Sequence, residues 1–279
     1  MRYVIDGNKI LIDDTSEFCP KHILECGQVF RYLNSSSGYK IFSKNLFCSL
    51  IYVDGYATIE TVDTDYFVKY FDLNRDYGEI KRRLLGFPCM KEAIGYGYGV
   101  RILNQDPTEM IISFIISANN NIPRIQGIIE RMCRTSGAPI GEEGFAFPTL
   151  EDLSRRDREY FTSIGAGYRA DYLVKSVDAL YHGFADDLEG LDTPSARKKL
   201  MQLTGVGRKV ADCILLFGYH REDVFPVDTW IEKVYLRLFG ESRATPARKA
   251  DELAEYFGDL SGYAQQYLFY HARETYNIK

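Results

Sequence analysis

The chain reads as an α+β protein with segregated elements: an N-terminal antiparallel β-sheet domain over residues 1–95, followed by a mainly α-helical domain over residues 96–279. Three observations predict this. Short β-prone runs at hairpin spacing fill the N-terminal part, separated by polar or glycine-bearing turns. From Thr64 onward the pattern turns helical and stays so almost to the end. With 279 residues, 46% hydrophobic and 26% charged, the chain can bury a sizeable core in two domains.

Composition narrows the class. A net charge of −5 argues against a nonspecific nucleic-acid coat, although basic residues bunch at Lys81-Arg82-Arg83, Arg197-Lys198-Lys199 and Arg208-Lys209. Such runs equally suit solvated faces. The six cysteines are dispersed without a Cys-x-x-Cys pair, so reduced thiols are expected and neither structural zinc nor an iron–sulfur cluster is. No apolar run approaches membrane-spanning length, and Met-Arg-Tyr-Val-Ile-Asp-Gly does not read as a signal peptide.

The strand candidates are Val4-Ile5, Ile10-Leu11-Ile12, residues 29–32, residues 39–42, residues 46–53 and Ala57-Thr58-Ile59. Within the third, Glu25-Cys26-Gly27-Gln28-Val29-Phe30-Arg31-Tyr32 needs structurally only a strand led by a glycine. Asp106 and Pro107 then predict a capped helix start, and the apolar run behind them predicts a buried helix over residues 109–116. Its end runs into Ser117-Ala118-Asn119-Asn120-Asn121-Ile122-Pro123-Arg124-Ile125, a turn between helices. Gly165-Ala166-Gly167-Tyr168-Arg169-Ala170 is a glycine turn opening another helix.

The densest stretch is 203–228. Gly205-Val206-Gly207 makes a tight turn whose amides can approach a ligand closely, and a helix opening there suits a phosphate. Val210, Ile214 and Phe217 recur at helical spacing as a buried face, while Lys209 and Cys213 share another. Asp228, in a Pro-Val-Asp turn, is placed to cap a helix over residues 229–238. A helix pair closed by glycines, with a solvated lysine and a capping aspartate, would account for these residues too. Near the C-terminus, residues 261–269 begin an amphipathic helix, with Gln265 and Phe269 on one face.

The constellation is more specific than its parts. Leu-Thr-Gly-Val-Gly-Arg-Lys-Val-Ala-Asp followed by Val-Asp resembles the helix–hairpin–helix and Gly/Pro–Asp signature of base-excision DNA glycosylases, with the hairpin motif at about 196–217. Gly-Gln-Val-Phe-Arg-Tyr, the Asn-Asn-Asn-Ile-Pro-Arg-Ile run, Gly-Ala-Gly-Tyr-Arg-Ala and Ala-Gln-Gln-Tyr-Leu-Phe stand in the order found in 8-oxoguanine DNA glycosylases. The chain is identified as a member of that family, and the resemblance covers it from about Cys26 to Phe269.

The resemblance implies roles. Lys209 would attack C1′ of a flipped nucleotide, with Asp228 stabilising the developing cation. Gly27 would accept a hydrogen bond from N7–H of 8-oxoguanine, a proton that guanine lacks. Gln265 would read the Watson–Crick edge, Phe269 and Cys213 would sandwich the base, and Phe217 would line the pocket. Asn119 would fill the gap left by the base, Tyr168 would wedge beside the opposite strand, and Arg124 with Arg169 would bond the estranged cytosine. Gly205 and Gly207 would hold backbone phosphates.

The implied activity is bifunctional: glycosylase, then β-elimination through a Schiff base, on double-stranded DNA carrying 8-oxoguanine opposite cytosine. No cofactor or metal is needed beyond a structural cation that the hairpin carbonyls could hold. A monomer is expected, without membrane association, in the nucleoid-bearing cytoplasm of a prokaryote or the nucleus of a eukaryote. Tyr32 stands where the family usually has Trp, and Trp230 and Ala272 stand where eukaryotic relatives carry His and Asp. A proton relay built on that pair is therefore not expected. An alkylpurine glycosylase would lack a lysine at 209, and a noncatalytic hairpin module would need neither Lys209 nor Asp228.

Overall fold

A computed structural model describes residues 2–276. The N-terminal part contains β1 (Tyr3–Asp6), β2 (Lys9–Ile12), α1 (Pro20–Leu24), β3 (Tyr32–Ser35), β4 (Gly38–Ser43), β5 (Leu46–Val53) and β6 (Tyr56–Thr61). Helices α2 (Thr64–Tyr70), α3 (Tyr77–Leu84), α4 (Met90–Tyr96), α5 (Pro107–Ser117) and α6 (Ile122–Ser136) follow. A small ribbon of β7 (Pro139–Ile140) and β8 (Gly144–Phe145) precedes α7 (Leu150–Ser154), α8 (Arg158–Ser163) and α9 (Ala170–Tyr181). The chain continues through α10 (Thr193–Leu200), α11 (Arg208–Gly218), α12 (Thr229–Phe239), α13 (Pro246–Phe257) and α14 (Ser261–Thr275).

The six N-terminal strands form one antiparallel sheet in the order β1-β2-β6-β5-β4-β3, so the expected α+β class with segregated elements holds. Two details differ from the sequence reading. Residues 29–31 are not strand, and pairing begins only at Tyr32, which faces Ile41. The short helix α1 and the β7–β8 ribbon had no periodic signature.

Two compact units build the molecule, interleaved along the chain, and the expected boundary at 95/96 falls inside the first. That first unit comprises the residues up to Val29, Leu50–Asn104 and those from His220 on. Its centre is α14, against which α4, α12 and α13 pack. Helix α14 is buried on nearly every side (Tyr263, Ala264, Tyr267, Leu268, Tyr270, Ala272), so it is a core helix rather than the amphipathic one expected.

The second unit is Phe30–Ser49 with Gln105–Tyr219. Helix α5 is its axis: Asp106 caps it by accepting from the Glu109 amide at 2.9 Å, Pro107 fills its first turn, and Met110, Ile111, Ile112, Phe114, Ile115 and Ile116 are all buried. Helices α6, α9 and α11 pack around it. At the α5–α11 crossing a Cβ on Gly218 would stand 3.1 Å from Met110 Cβ, so a larger residue would push the helices apart. A buried ion pair ties the sheet segment to this axis: Arg31 Nη1 lies 3.3 Å from Glu109 Oε1, and Arg31 Nη2 donates to the Phe145 carbonyl at 2.6 Å. Burial pushes the Glu109 carboxyl up against the pull of Arg31. Among the described residues no helix is long and apolar enough to cross a membrane.

Candidate active site and nucleic-acid interface

The expected site residues divide between the units. Asn119, Arg124, Tyr168, Arg169, Gly205, Gly207, Lys209, Cys213 and Phe217 belong to the second, and Gly27, Asp228, Gln265 and Phe269 to the first.

In the second unit α10 and α11 form the expected hairpin. Asp192 caps α10, accepting from the Ser195 amide at 2.8 Å. Gly205 sits at φ +86°, and a Cβ there would come within 2.8 Å of Tyr172 Cγ, so both conformation and space demand glycine. Gly207 is the N-cap of α11 with no side chain bonded across it, and nothing lies within 4 Å of the Cβ it lacks. A helix end of this kind offers amides and the positive pole of the dipole to an anion.

The basic residues here have separate fates. Asp212, fully buried, takes Arg208 at 3.0 Å from its own helix and Arg197 from α10, a clamp across the hairpin that sequence reading missed. Lys209 makes no ion pair among the described residues, and its Nζ lies 5.8 Å from the Phe114 ring centroid. It is half-buried and one turn before buried Cys213. Phe217 is buried with its ring stacked on Phe114 at 5.7 Å, and Phe114 in turn meets the edge of Phe30.

The Asn119 turn lies elsewhere in the same unit. Asn119 itself is exposed in the left-handed region at φ +50°, which asparagine tolerates. Asn121 caps α6 by accepting from the Arg124 amide at 3.0 Å, leaving the Arg124 side chain exposed with one long bond, 3.4 Å, to the Gly165 carbonyl. Tyr168 is 51% exposed and donates its hydroxyl to the Ala118 carbonyl at 3.2 Å.

Arg169 departs from its expected presentation, being only 2% exposed. Its Nε donates to the Ala118 carbonyl at 2.8 Å and its Nη2 to the Asn119 carbonyl at 2.7 Å. The physical reason is the turn itself, whose two carbonyls need donors that the helix end cannot supply. As it stands Arg169 braces Asn119.

In the first unit, residues 25–28 form an irregular segment held from two sides. Gln28, fully buried, donates Nε2 to the carbonyls of Ile23 (2.8 Å) and Arg101 (2.7 Å) and accepts from the Leu103 amide at 2.9 Å. These bonds replace the ladder pairing that a strand would have made. From α14, Gln266 donates to the Cys26 carbonyl at 3.0 Å and Arg273 Nη2 to the Glu25 carbonyl. Gly27 is left at φ +88°, and a Cβ there would stand 3.0 Å from both Phe269 Cε1 and Arg273 Nη1. Burial pushes the Cys26 thiol up to about 11, so it stays protonated and donates to the Ile23 carbonyl at 3.1 Å.

Gln265, 5% exposed, donates to the Pro226 carbonyl at 3.4 Å, which ties α14 to the Pro-Val-Asp turn, while its Oε1 is buried without a partner among the described residues. Asp228 caps α12 as expected, Oδ1 accepting from the Trp230 amide at 3.0 Å and the Ile231 amide at 2.9 Å. Trp230 and Ala272 fill the positions noted above, Ala272 fully buried. Arg273 was not singled out from the sequence, although the 265, 269, 273 spacing places it along the Gln265–Phe269 face. Among the described residues no cluster of His, Cys, Asp and Glu is placed to hold a metal.

Comparison with known proteins fits this geometry. Residues 10–111 match the model of the 8-oxoguanine DNA glycosylase N-terminal domain, and residues 112–258 match that of the HhH-GPD superfamily base excision DNA repair proteins. A Clostridium acetobutylicum 8-oxoguanine glycosylase/lyase, solved with double-stranded DNA containing cytosine opposite 8-oxoguanine, is 36% identical over 98% of each chain, with a TM-score of 0.93. A probable N-glycosylase/DNA lyase of Methanothermobacter thermautotrophicus is 33% identical over 63% of this chain, and the Arabidopsis thaliana N-glycosylase/DNA lyase OGG1 is 35% identical over 61%. The matched segments span 64% and 51% of those two relatives' own lengths. The chain belongs to the 8-oxoguanine DNA glycosylase family, within the HhH-GPD superfamily of base excision DNA repair proteins.

Proposed function

We propose that this chain flips 8-oxoguanine out of duplex DNA, excises it in preference opposite cytosine, and then cleaves the strand. The observation that carries the reading is the pairing pattern of the hairpin: Arg197 and Arg208 are locked on Asp212, while Lys209 makes no ion pair among the described residues. A nucleophilic amine must be able to lose its proton, and a carboxylate partner would hold that proton in place.

The deprotonated Lys209 amine attacks C1′, the N-glycosidic bond breaks with its electrons, and the base leaves. Asp228, held by two amides, stabilises the positive charge that develops at C1′. The C1′ aminal opens as the C1′–O4′ bond breaks and the ring oxygen takes up a proton, and the resulting Schiff base acidifies C2′–H, whose loss expels the 3′ phosphate. The Gly27 carbonyl accepts from N7–H of the base, Gln265 reads its Watson–Crick edge, and Phe269 and Cys213 cover its faces, with Phe217 behind. Asn119 fills the gap in the duplex beside Tyr168. Arg124 takes the cytosine edge, and Arg169 exchanges its carbonyl partners for the same base. Gly205 and Gly207 bring amides to the phosphates, and the hairpin carbonyls are the place for a structural cation. The reaction runs wherever the genome lies.

Borohydride trapping on duplexes carrying 8-oxoguanine opposite cytosine tests this. Wild type forms a covalent adduct, and Lys209→Gln loses both adduct and excision by roughly three orders of magnitude or more. Heat-labile abasic sites still made by the variant at the wild-type rate would sink the lysine mechanism and leave Asp228 acting with water.

A further inference from the structure

The face of α14 that carries Gln265 and Phe269 carries one more group. Arg273 Nε donates to Glu274 Oε1 at 2.9 Å, and Nη2 donates to the Glu25 carbonyl. Its remaining nitrogen, Nη1, is buried with no hydrogen-bond partner among the described residues. That nitrogen lies 3.0 Å from where a Cβ on Gly27 would stand, and the guanidinium carbon is 5.6 Å from the Phe269 ring centroid. An always-charged group thus keeps one donor unspent beside the glycine and the ring that the proposed function assigns to the base.

Burying a donor of a charged group without an acceptor is unfavourable, so a ligand that brings an acceptor to this spot gains what the empty pocket forgoes. The oxidised purine has such an atom. Its C8 carbonyl oxygen adjoins the N7–H that Gly27 is proposed to test, whereas unmodified guanine presents only C–H there. We infer that Arg273 is a specificity-determining residue of the base pocket: Nη2 fixes the segment before Gly27, and Nη1 donates to the C8 oxygen of the flipped lesion. The inference rests on the reading that Gly27 and Phe269 hold the base. Acceptor and donor then read the two atoms by which the lesion differs from guanine, and a base lacking either leaves a buried polar group unpaired.

The test separates base recognition from structural bracing. Wild type, Arg273→Met and Arg273→Lys are compared in single-turnover excision of 8-oxoguanine opposite cytosine, scored as heat-labile sites. Each is also titrated by fluorescence anisotropy against the same duplex carrying a tetrahydrofuran abasic analogue, which has no base to read. Arg273→Met slows excision by about 10- to 100-fold while analogue binding is unchanged, and Arg273→Lys, with a single ammonium in place of the fork, is intermediate. Excision and analogue binding falling together would reduce Arg273 to a brace, and wild-type excision by Arg273→Met would remove it from recognition. Should the methionine variant fail to fold, the lysine variant decides: slowed excision with intact analogue binding supports the inference, and a wild-type rate overturns it. Wild type that removes no 8-oxoguanine would sink the parent reading, before any variant is compared.

Discussion

Two irregular segments of this molecule, one in each unit, solve a similar backbone problem in opposite surroundings. Gly27 and Asn119 both sit at positive φ, +88° and +50°, and each is flanked by carbonyls that an arginine satisfies, Arg273 at Glu25 and Arg169 at Ala118 and Asn119. Around Gly27 the supports are buried: Gln28 bonds three backbone groups, and Gln266 reaches in from a core helix. Around Asn119 the buried Arg169 is joined by exposed side chains, Tyr168 on the Ala118 carbonyl and Arg124 on the Gly165 carbonyl. On the proposed function Gly27 belongs to a wall that distinguishes bases differing by an oxygen and a proton, and such a wall has to be set before the ligand arrives. On the proposed function Asn119 replaces the base in the duplex, and its own exposed side chain permits the movement that entry needs.

The comparison breaks most easily at Gly27. Alanine there meets both the penalty of positive φ and the 3.0 Å contacts to Phe269 and Arg273. The combined strain of about 1–3 kcal/mol corresponds to a 10- to 100-fold loss in the excision rate of 8-oxoguanine if the pocket wall cannot yield. Single-turnover kinetics at saturating enzyme give the answer. A Gly27→Ala rate equal to wild type would mean the segment relaxes, and the contrast with Asn119 would disappear.

How far each segment was legible in the sequence follows from where its bonds go. The Asn119 turn is local: Asn120 and Asn121 bond within four residues, so composition alone marks it. The cap of α5 and the glycines of the hairpin are local too, and they stand as expected. The Gly27 segment resembles a strand in any short window because Val29 and Phe30 are apolar. Its real partners, Arg101, Leu103, Gln266 and Arg273, are remote in sequence and cancel strand pairing there. The interleaving of the two units was hidden for the same reason: Phe30–Ser49 joins the helical unit through contacts such as Arg31–Glu109, which no periodicity encodes. Family resemblance supplied functional expectations for Arg169 but not the three carbonyls, of Ala118, Asn119 and Ala166, that now occupy it.

The two arginines proposed for cytosine sharpen the contrast within the second unit. Arg124→Gln removes an exposed side chain with one long bond, so thermal stability stays near wild type while the preference for cytosine over adenine opposite the lesion falls about tenfold. Arg169→Gln removes a similar share of that preference and also takes the Arg169 donors from the Ala118 and Asn119 carbonyls. Tyr168 still donates to the Ala118 carbonyl, so the loss falls on Asn119, and its cost in folding stability is about 1–3 kcal/mol. Denaturant unfolding beside excision from both duplexes distinguishes them. If Arg169→Gln lowers stability but leaves the cytosine preference intact, Arg169 is a brace alone and Arg124 reads the base unaided.

The smallest effect concerns how the rigid side is held on its N-terminal flank. His22, in α1 just before Gly27, accepts a hydrogen bond at Nδ1 from the Gly99 amide at 3.3 Å, and the rings of Tyr96, Tyr98 and Tyr270 surround it. Burial, reinforced by the neighbouring Lys21 charge, pulls its pKa below the ordinary 6.5. The folded state therefore binds fewer protons than the unfolded one. The stability that His22 contributes is complete above 6.5 and is lost as pH falls through that value toward the depressed folded one. His271, also lowered by burial, titrates with the same sign and adds to the weakening of wild type on the acid side. In His22→Asn an amide oxygen can take the place of Nδ1 without titrating, and the acid limb of the melting temperature against pH becomes shallower. An unchanged slope would assign that limb to His271 and show that α1 stays seated against Gly99 with a protonated ring, leaving Gln28 and α14 to hold the Gly27 segment.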